Sequence, residues 1–301
     1  MHLHALSLSD RDWIAPIVRA ENSKSADFNF GNLFLWDNTY CQKVTQFGDR
    51  LIIEYRKDDT LFFACPIGNG PLESAIIALQ AYADSHGFPL LLRGVTAEYK
   101  EKLEQLFPDC FTFTPDTDFF DYIYETEKLA TLRGKKLHGK RNHINRFEAE
   151  HDNWSFLPMT EALLPACRAF LKTWNTEHEV DTPDETIAIE RAFTYFDVLE
   201  LEGGILLVDD EVAGFTIGEP IASDTFDVHF EKARSDIQGA YTMVNREFAR
   251  QIQSRHPEII YINREDDMGM ENLRLAKQSY RPAFLVEKYT AQVNDGCRLL
   301  L

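Results

Sequence analysis

One order of secondary-structure elements occurs twice along this chain, and a duplication of that kind restricts the fold more than any single motif does. In the first half, hydrophobic periodicity predicts a strand in LHALSL, a helix from Ser9 to about Glu21 and a short aromatic helix in FNFGNLFLWDNTY. The strands QKVTQF, RLIIEY and TLFFAC follow, separated by polar turns. PLESAIIALQAYADSHG reads as a helix with Pro71 in its first turn and Gly87 at its stop. PLLLRGV (strand), AEYKEKLEQLF (helix) and the strands FTFT and FFDYIY complete the half. The second half begins with the strand WSFLPM and the helices ALLPACRAFLKTWNTEH and ETIAIERAFTYFDVLEL. Next come the hairpin GGILLVDDEVAGFTIG, the strand TFDVHFEKA, a glycine-bearing loop and the helix YTMVNREFARQIQSRH. EIIYIN, the helix MENLRLAKQSY and the strand AFLVEKYTA close the chain. Stripped of lengths, each half reads strand, two helices, three strands, helix, strand, helix, strand, with one more strand closing the first half.

A chain of 301 residues accommodates two domains of about 150 residues each. The expectation is an α/β protein with two tandem domains, each a mixed sheet with helices on both faces. They occupy residues 1–125 and 151–301, joined by a basic linker and bridging helix at 126–150. The first half reads as the degenerate copy, because Pro71 removes an N–H from its glycine-bearing loop CPIGNGP.

Formal net charge is −18, which repels phosphate backbones and anionic lipid from the molecule as a whole. The residues 132–147, LRGKKLHGKRNHINRF, depart from that background with Arg133, Lys135, Lys136, Lys140, Arg141 and Arg146 and no acid. These charges scatter around a helix instead of forming one stripe, and Gly134 and Gly139 weaken its start. We expect a loop through Gly139 and a helix from about Lys140, with Ile144 and Phe147 facing the core. Lys136, Lys140 and Arg141 are candidates for holding a phosphate-rich ligand; a solvated surface is the alternative.

The five cysteines are scattered without a C-x-x-C pair and are expected as buried free thiols. No apolar run approaches the roughly 20 residues of a membrane span, so a soluble, cytoplasmic protein without stable membrane insertion is expected. Metal-ligand spacing among the histidines, nucleophile elbows and nucleotide-binding glycine motifs are all missing, which favours direct transfer without a metal.

The element order resembles the GNAT acyltransferase superfamily. More specifically, DYIYETEKLATLRGKKLHGKRNHINRF, HFEKARSDIQGAYTMVNREFA and NREDDMGMENLRLAKQSYRPAFLVEKY resemble a bacterial family related to the C-terminal domain of phosphatidylglycerol lysyltransferases. Those are tandem GNAT proteins, similar to Fem-type peptidyltransferases, which take amino acids from aminoacyl-tRNA.

This resemblance implies a donor site at the strand-to-helix junction HFEKARSDIQGAYTM, where GNAT enzymes hold the pyrophosphate of coenzyme A on helix N–H groups. Its candidates are Lys232, Ile237, Gln238, Gly239, Ala240 and Tyr241. SDIQGA departs from the family pattern, with one glycine and with Asp236 where positive charge would help. The resemblance also implies a tyrosine acid near the end of the last helix, matched by Tyr280.

Read from their positions, Glu231 and His229 alternate on one face of a strand, making Glu231 the candidate base and His229 a substrate contact. The crowded acids Glu265, Asp266 and Asp267 could raise one pKa or hold an ammonium group, so Asp266 is a catalytic candidate and Glu265 and Asp267 are substrate contacts. Asn263 and Arg264 complete the substrate set. The expected function is acyl or aminoacyl transfer, from acetyl- or acyl-coenzyme A or aminoacyl-tRNA, to an amine or hydroxyl on a small molecule or lipid head group. The rival is a non-catalytic ligand-binding pair of GNAT domains.

Overall fold

A computed structural model of the chain describes residues 1–178, 183–297 and 299. Two compact units emerge: one from Met1–Asp121 together with the segment after Leu285, the other from Tyr122–Leu285. The first contains β1 (His4–Ala5), α1 (Arg11–Glu21), α2 (Phe30–Leu35), α3 (Asp37–Tyr40), β2 (Lys43–Phe47), β3 (Arg50–Lys57), β4 (Thr60–Ala64) and β5 (Ile67–Gly68). It continues with α4 (Leu72–Ser85), β6 (Leu91–Thr96), α5 (Ala97–Leu106) and β7 (Phe111–Pro115). After these come β8 (Asp121–Glu125), α6 (Thr126–Thr131), α7 (His138–Glu150), β9 (Trp154–Pro158), α8 (Leu164–Glu177), α9 (Pro183–Thr194), β10 (Glu202–Val208) and β11 (Glu211–Ala222). The last are β12 (Thr225–Ala233), α10 (Ala240–Arg255), β13 (Tyr261–Asn263), α11 (Glu271–Ser279), β14 (Phe284–Val286) and β15 (Lys288–Val293).

The two sheets correspond position by position. One runs β1-β2-β3-β4-β6-β15-β7, with β5 on β3, and the other runs β9-β10-β11-β12-β13-β8-β14. In each, a parallel pair (β4 with β6, β12 with β13) flanks a crossover helix. Two strands depart from the expected boundaries. β8, placed by the sequence in the first domain, pairs with β13, while β15, placed in the second, inserts between β6 and β7. Each sheet thus receives its sixth strand from the far end of the other half.

That insertion also corrects the cysteine expectation. β15 carries the C-terminal segment alongside β7, and Cys110 and Cys297 form a disulfide with Cα atoms 5.6 Å apart. A sequence separation of 187 residues had hidden the pair. Cys65 and Cys167 are buried thiols as expected, whereas Cys41 is exposed. α9 ends at Thr194, earlier than the periodicity suggested, and Phe196, Leu199 and Leu201 are buried in turns.

α10 organises the second unit. Ala240, Met243, Val244, Phe248, Ala249 and Ile252 recur at helical spacing and are buried, packing with Leu206, Phe226, Val228, Ile262 and Phe147. Phe226 and Phe248 meet edge-on at 5.6 Å. Fully burying one such aromatic side chain stabilises by roughly 1.5–3 kcal/mol. α7 starts at His138, two residues before the expected Lys140, and buries Ile144 and Phe147. Arg141 fastens its start by donating to the carbonyls of Leu132 (2.5 Å) and Gly134 (2.8 Å).

Candidate functional site

The second sheet opens between β12 and β13. These strands pair only through Thr225–Asp227 against Tyr261–Asn263; β12 runs on to Ala233, and the chain after Asn263 turns away. An opening beside a parallel pair, at the strands' carboxyl ends, is where sheets of this kind hold ligands.

A bulge decides which side chains enter it. Pairing with β11 steps from Gly218↔Val228 to Ile217↔Phe230, leaving His229 without a partner across the ladder. The extra residue reverses the alternation. Phe226 and Val228 face the α10 core, and so does Glu231, whose Oε2 accepts from Asn245 Nδ2 at 3.4 Å. His229 instead sits with Asp227, Glu219 and Glu265. The expectation that His229 and Glu231 share a face is therefore corrected.

Around Glu231 a polar cluster is packed into the second unit. Arg264 Nη2 donates to Glu231 Oε1 at 3.0 Å. The Arg264 guanidinium lies 5.0 Å from the Tyr280 ring centre and 5.8 Å from that of Tyr124. From α7, Lys140 Nζ stands 3.8 Å from the centre of the Tyr280 ring. Burial pushes the Tyr280 hydroxyl up to about 12, with Glu231 adding to the shift and Arg264 and Thr242 opposing it. It remains a proton donor at neutral pH. Burial and then Arg264 push the Lys140 ammonium down to about 8, against the pull of Glu231.

Three buried polar atoms of this region, Arg264 Nη1, Asn245 Oδ1 and Thr216 Oγ1, have no hydrogen-bond partner among the described residues. Thr216 lies directly opposite Glu231 on β11. Protein interiors leave few such atoms unpaired, and these three gather around Glu231. Sequence reasoning missed Asn245, Thr216 and Thr242. The legible signal was an asparagine and a threonine on the apolar stripe of α10.

The crowded acids separate. Glu265 accepts from His229 Nδ1 at 3.1 Å. Asp266 accepts from the Met268 N–H at 3.0 Å. Asp267 is buried and receives Arg274 and Tyr122, and Arg274 first of all holds its carboxyl below the usual range. The expected raised pKa does not arise at Asp267, because each carboxylate found its own donor. Asn263 is buried, its Oδ1 accepting from the Glu265 N–H at 2.6 Å.

Asp227, His229 and Glu265 bring ligand atoms within 4.8 Å of one another, a spacing at which a cation could be held. The surrounding carboxylates, Asp227 first, outweigh burial and favour a charged imidazole here. Nε2 faces Glu219 at 3.1 Å and Nδ1 faces Glu265 at 3.1 Å, so both ring nitrogens meet carboxylates.

The junction before α10 is packed against α7. A Cβ built on Gly239 would lie 2.6 Å from the His143 carbonyl oxygen, so this glycine, at φ +91°, admits the close approach of α7. The neighbouring cations are committed. Lys232 pairs with Glu185 at 2.8 Å and lies over Trp174, and Arg234 pairs with Asp236 at 2.6 Å. Ile237 packs on the core, Ala240 is buried, and Gln238 and Tyr241 are exposed. Of the basic island, Lys136 is exposed beside α7, Arg141 is turned to backbone carbonyls, and Lys140 joins the cluster.

The family model described as phosphatidylglycerol lysyltransferase, C-terminal, matches residues 19–292. A conserved protein of unknown function from Bacteroides thetaiotaomicron is similar at 37% identity and TM-score 0.91, over 97% of this chain and 99% of that one. The C-terminal domain of a putative lysylphosphatidylglycerol synthetase from Agrobacterium fabrum superposes at TM-score 0.69 with 13% identity, over 97% and 95%. FemX does so at 0.59 with 9% identity, over 96% and 97%. An uncharacterized protein of Mycoplasmoides gallisepticum is 26% identical over 179 residues, 58% of this chain. The chain spans about half (56%) of the length of that curated relative.

Proposed function

Because the chain belongs to the family of phosphatidylglycerol lysyltransferase C-terminal regions, we propose that it transfers an aminoacyl group from an aminoacyl-tRNA ester to an amine or hydroxyl acceptor. The observation that carries this reading is the partly buried cluster of Glu231, Arg264, Tyr280 and Lys140, with the unpaired Nη1 of Arg264 among them. In this reading Arg264 Nη1–H receives the oxyanion that develops on the ester carbonyl, and Glu231 holds the guanidinium in place. The Tyr280 hydroxyl protonates the leaving oxygen. The exposed Lys135 and Lys136 favour a polyanionic donor, and the pairing of Lys232 and Arg234 with acids before α10 speaks against coenzyme A.

The test is to incubate the protein with a pool of charged tRNA and a panel of amines, hydroxyl compounds and lipid head groups, and to follow labelled amino acid into the acceptor. Transfer is expected, reduced at least tenfold in Y280F. Salt-dependent binding of charged tRNA without any transfer would instead establish a binding module. A melting shift with acetyl-coenzyme A, of the size produced by about 2.7 kcal/mol at a hundredfold excess over Kd, would replace the proposed donor.

A further inference from the structure

The cluster described above supplies a proton donor and an oxyanion partner, and we propose that Lys140 is its general base, taking the acceptor's proton through a neutral ε-amine. This inference rests on the transferase reading. Geometry separates Lys140 from the rest of the basic island. Arg133 pairs with Glu127 at 3.5 Å, Arg146 with Glu150 at 2.7 Å, and Arg141 with backbone carbonyls. Lys140 is half-buried, stands against the Tyr280 ring, and makes no ion pair within 4.0 Å among the described residues.

Glu231 suits the base role less well. One of its oxygens accepts from Arg264 and the other from Asn245, so it acts as a positioning residue. The groups facing Lys140 are Arg264 after β13, Glu231 on β12, Tyr280 after α11 and, beyond Arg264, Tyr124 on β8. Burial and Arg264 disfavour its ammonium, while Glu231 and the ring face favour it. With the balance at about 8, a substantial neutral fraction exists at physiological pH.

The step closes in atoms and electrons. Lys140 Nζ takes the proton from the acceptor O–H or N–H as the acceptor's lone pair forms a bond to the ester carbonyl carbon. The carbonyl π pair moves to oxygen, opposite Arg264 Nη1–H. As that pair returns, the bond to the ribose oxygen breaks, the leaving oxygen takes the Tyr280 proton, and the Lys140 ammonium reprotonates the phenolate. The net change moves one proton from acceptor to leaving group.

Lysine labelled with 13C at Cε gives a resonance for Lys140, assigned by its loss in K140R. We expect it to titrate near 8, and to move toward the ordinary lysine range of about 10.4 in R264Q. The tRNA-dependent transfer assay should show an ascending pH limb near the same value, and K140R, which keeps the charge but cannot accept the proton, should lose about 10²- to 10⁴-fold in rate. An active protein whose K140R variant stays within threefold of wild type, or whose Lys140 titrates in the ordinary range, would overturn the base role alone. Wild-type protein inactive with every charged tRNA and acceptor would overturn the transferase reading and the base role together.

Discussion

At His229 two opposing effects act on one side chain. Its imidazole has no solvent exposure, and burial alone would lower its pKa; Asp227, Glu219 and Glu265 outweigh burial and hold it well above 6.5. Because the folded value is raised, the stabilisation is complete below the unfolded pKa of about 6.5 and is lost as pH rises through the folded value. The stability gap between wild type and H229Q in urea titrations should therefore be widest below pH 6.5. Above that it should shrink by up to about 1.4 kcal/mol per pH unit. A gap that stays flat between pH 6 and pH 9 would refute the buried imidazolium. Residue types and strand-end positions singled out His229, Glu231 and Arg264, the basic run singled out Lys140, and the family resemblance singled out Tyr280. Their partition into two separate clusters was not legible, because one bulged residue in β12 reverses the facing of everything after it.

The contact between α7 and the start of α10 gives Gly239 a role at the scale of elements. Gly239 resembled a phosphate-cradle glycine, yet the His143 carbonyl and the Phe147 side chain crowd it. G239A should cost about 1–3 kcal/mol, from a strained positive φ and a forced retreat of α7, measurable as a lower urea midpoint with unchanged slope. Unaltered stability would mean that the helices approach less closely than described. Most helices and strands were legible because apolar spacing and burial agree, as in α10 and β12. The termini of the sheets were not. A strand's own residues specify that it pairs, but not which of two equivalent sheets supplies the partner, so β8 and β15 could be recognised as strands and still be assigned to the wrong half.

Across the whole molecule, the Cys110–Cys297 bond closes a loop of 187 residues and pins the segment after β15 beside β7. Cross-linking so long a loop limits the unfolded chain and, on the chain-entropy account, stabilises by about 5 kcal/mol. Three of the five thiols should react in denaturant without reductant, and C297S should melt at a lower temperature than the oxidised wild type; five reactive thiols would show that the bond does not form. The exchange of sixth strands has a consequence for synthesis. The ribosome makes β6 and β7 long before β15, so the first sheet waits with an open slot between them until all the strands of the second sheet have been made. Completion of the first sheet before the second is thereby closed to this protein: the first sheet acquires its finished form only when β15 arrives, and a ribosome that stalls between β7 and β15 leaves that sheet open.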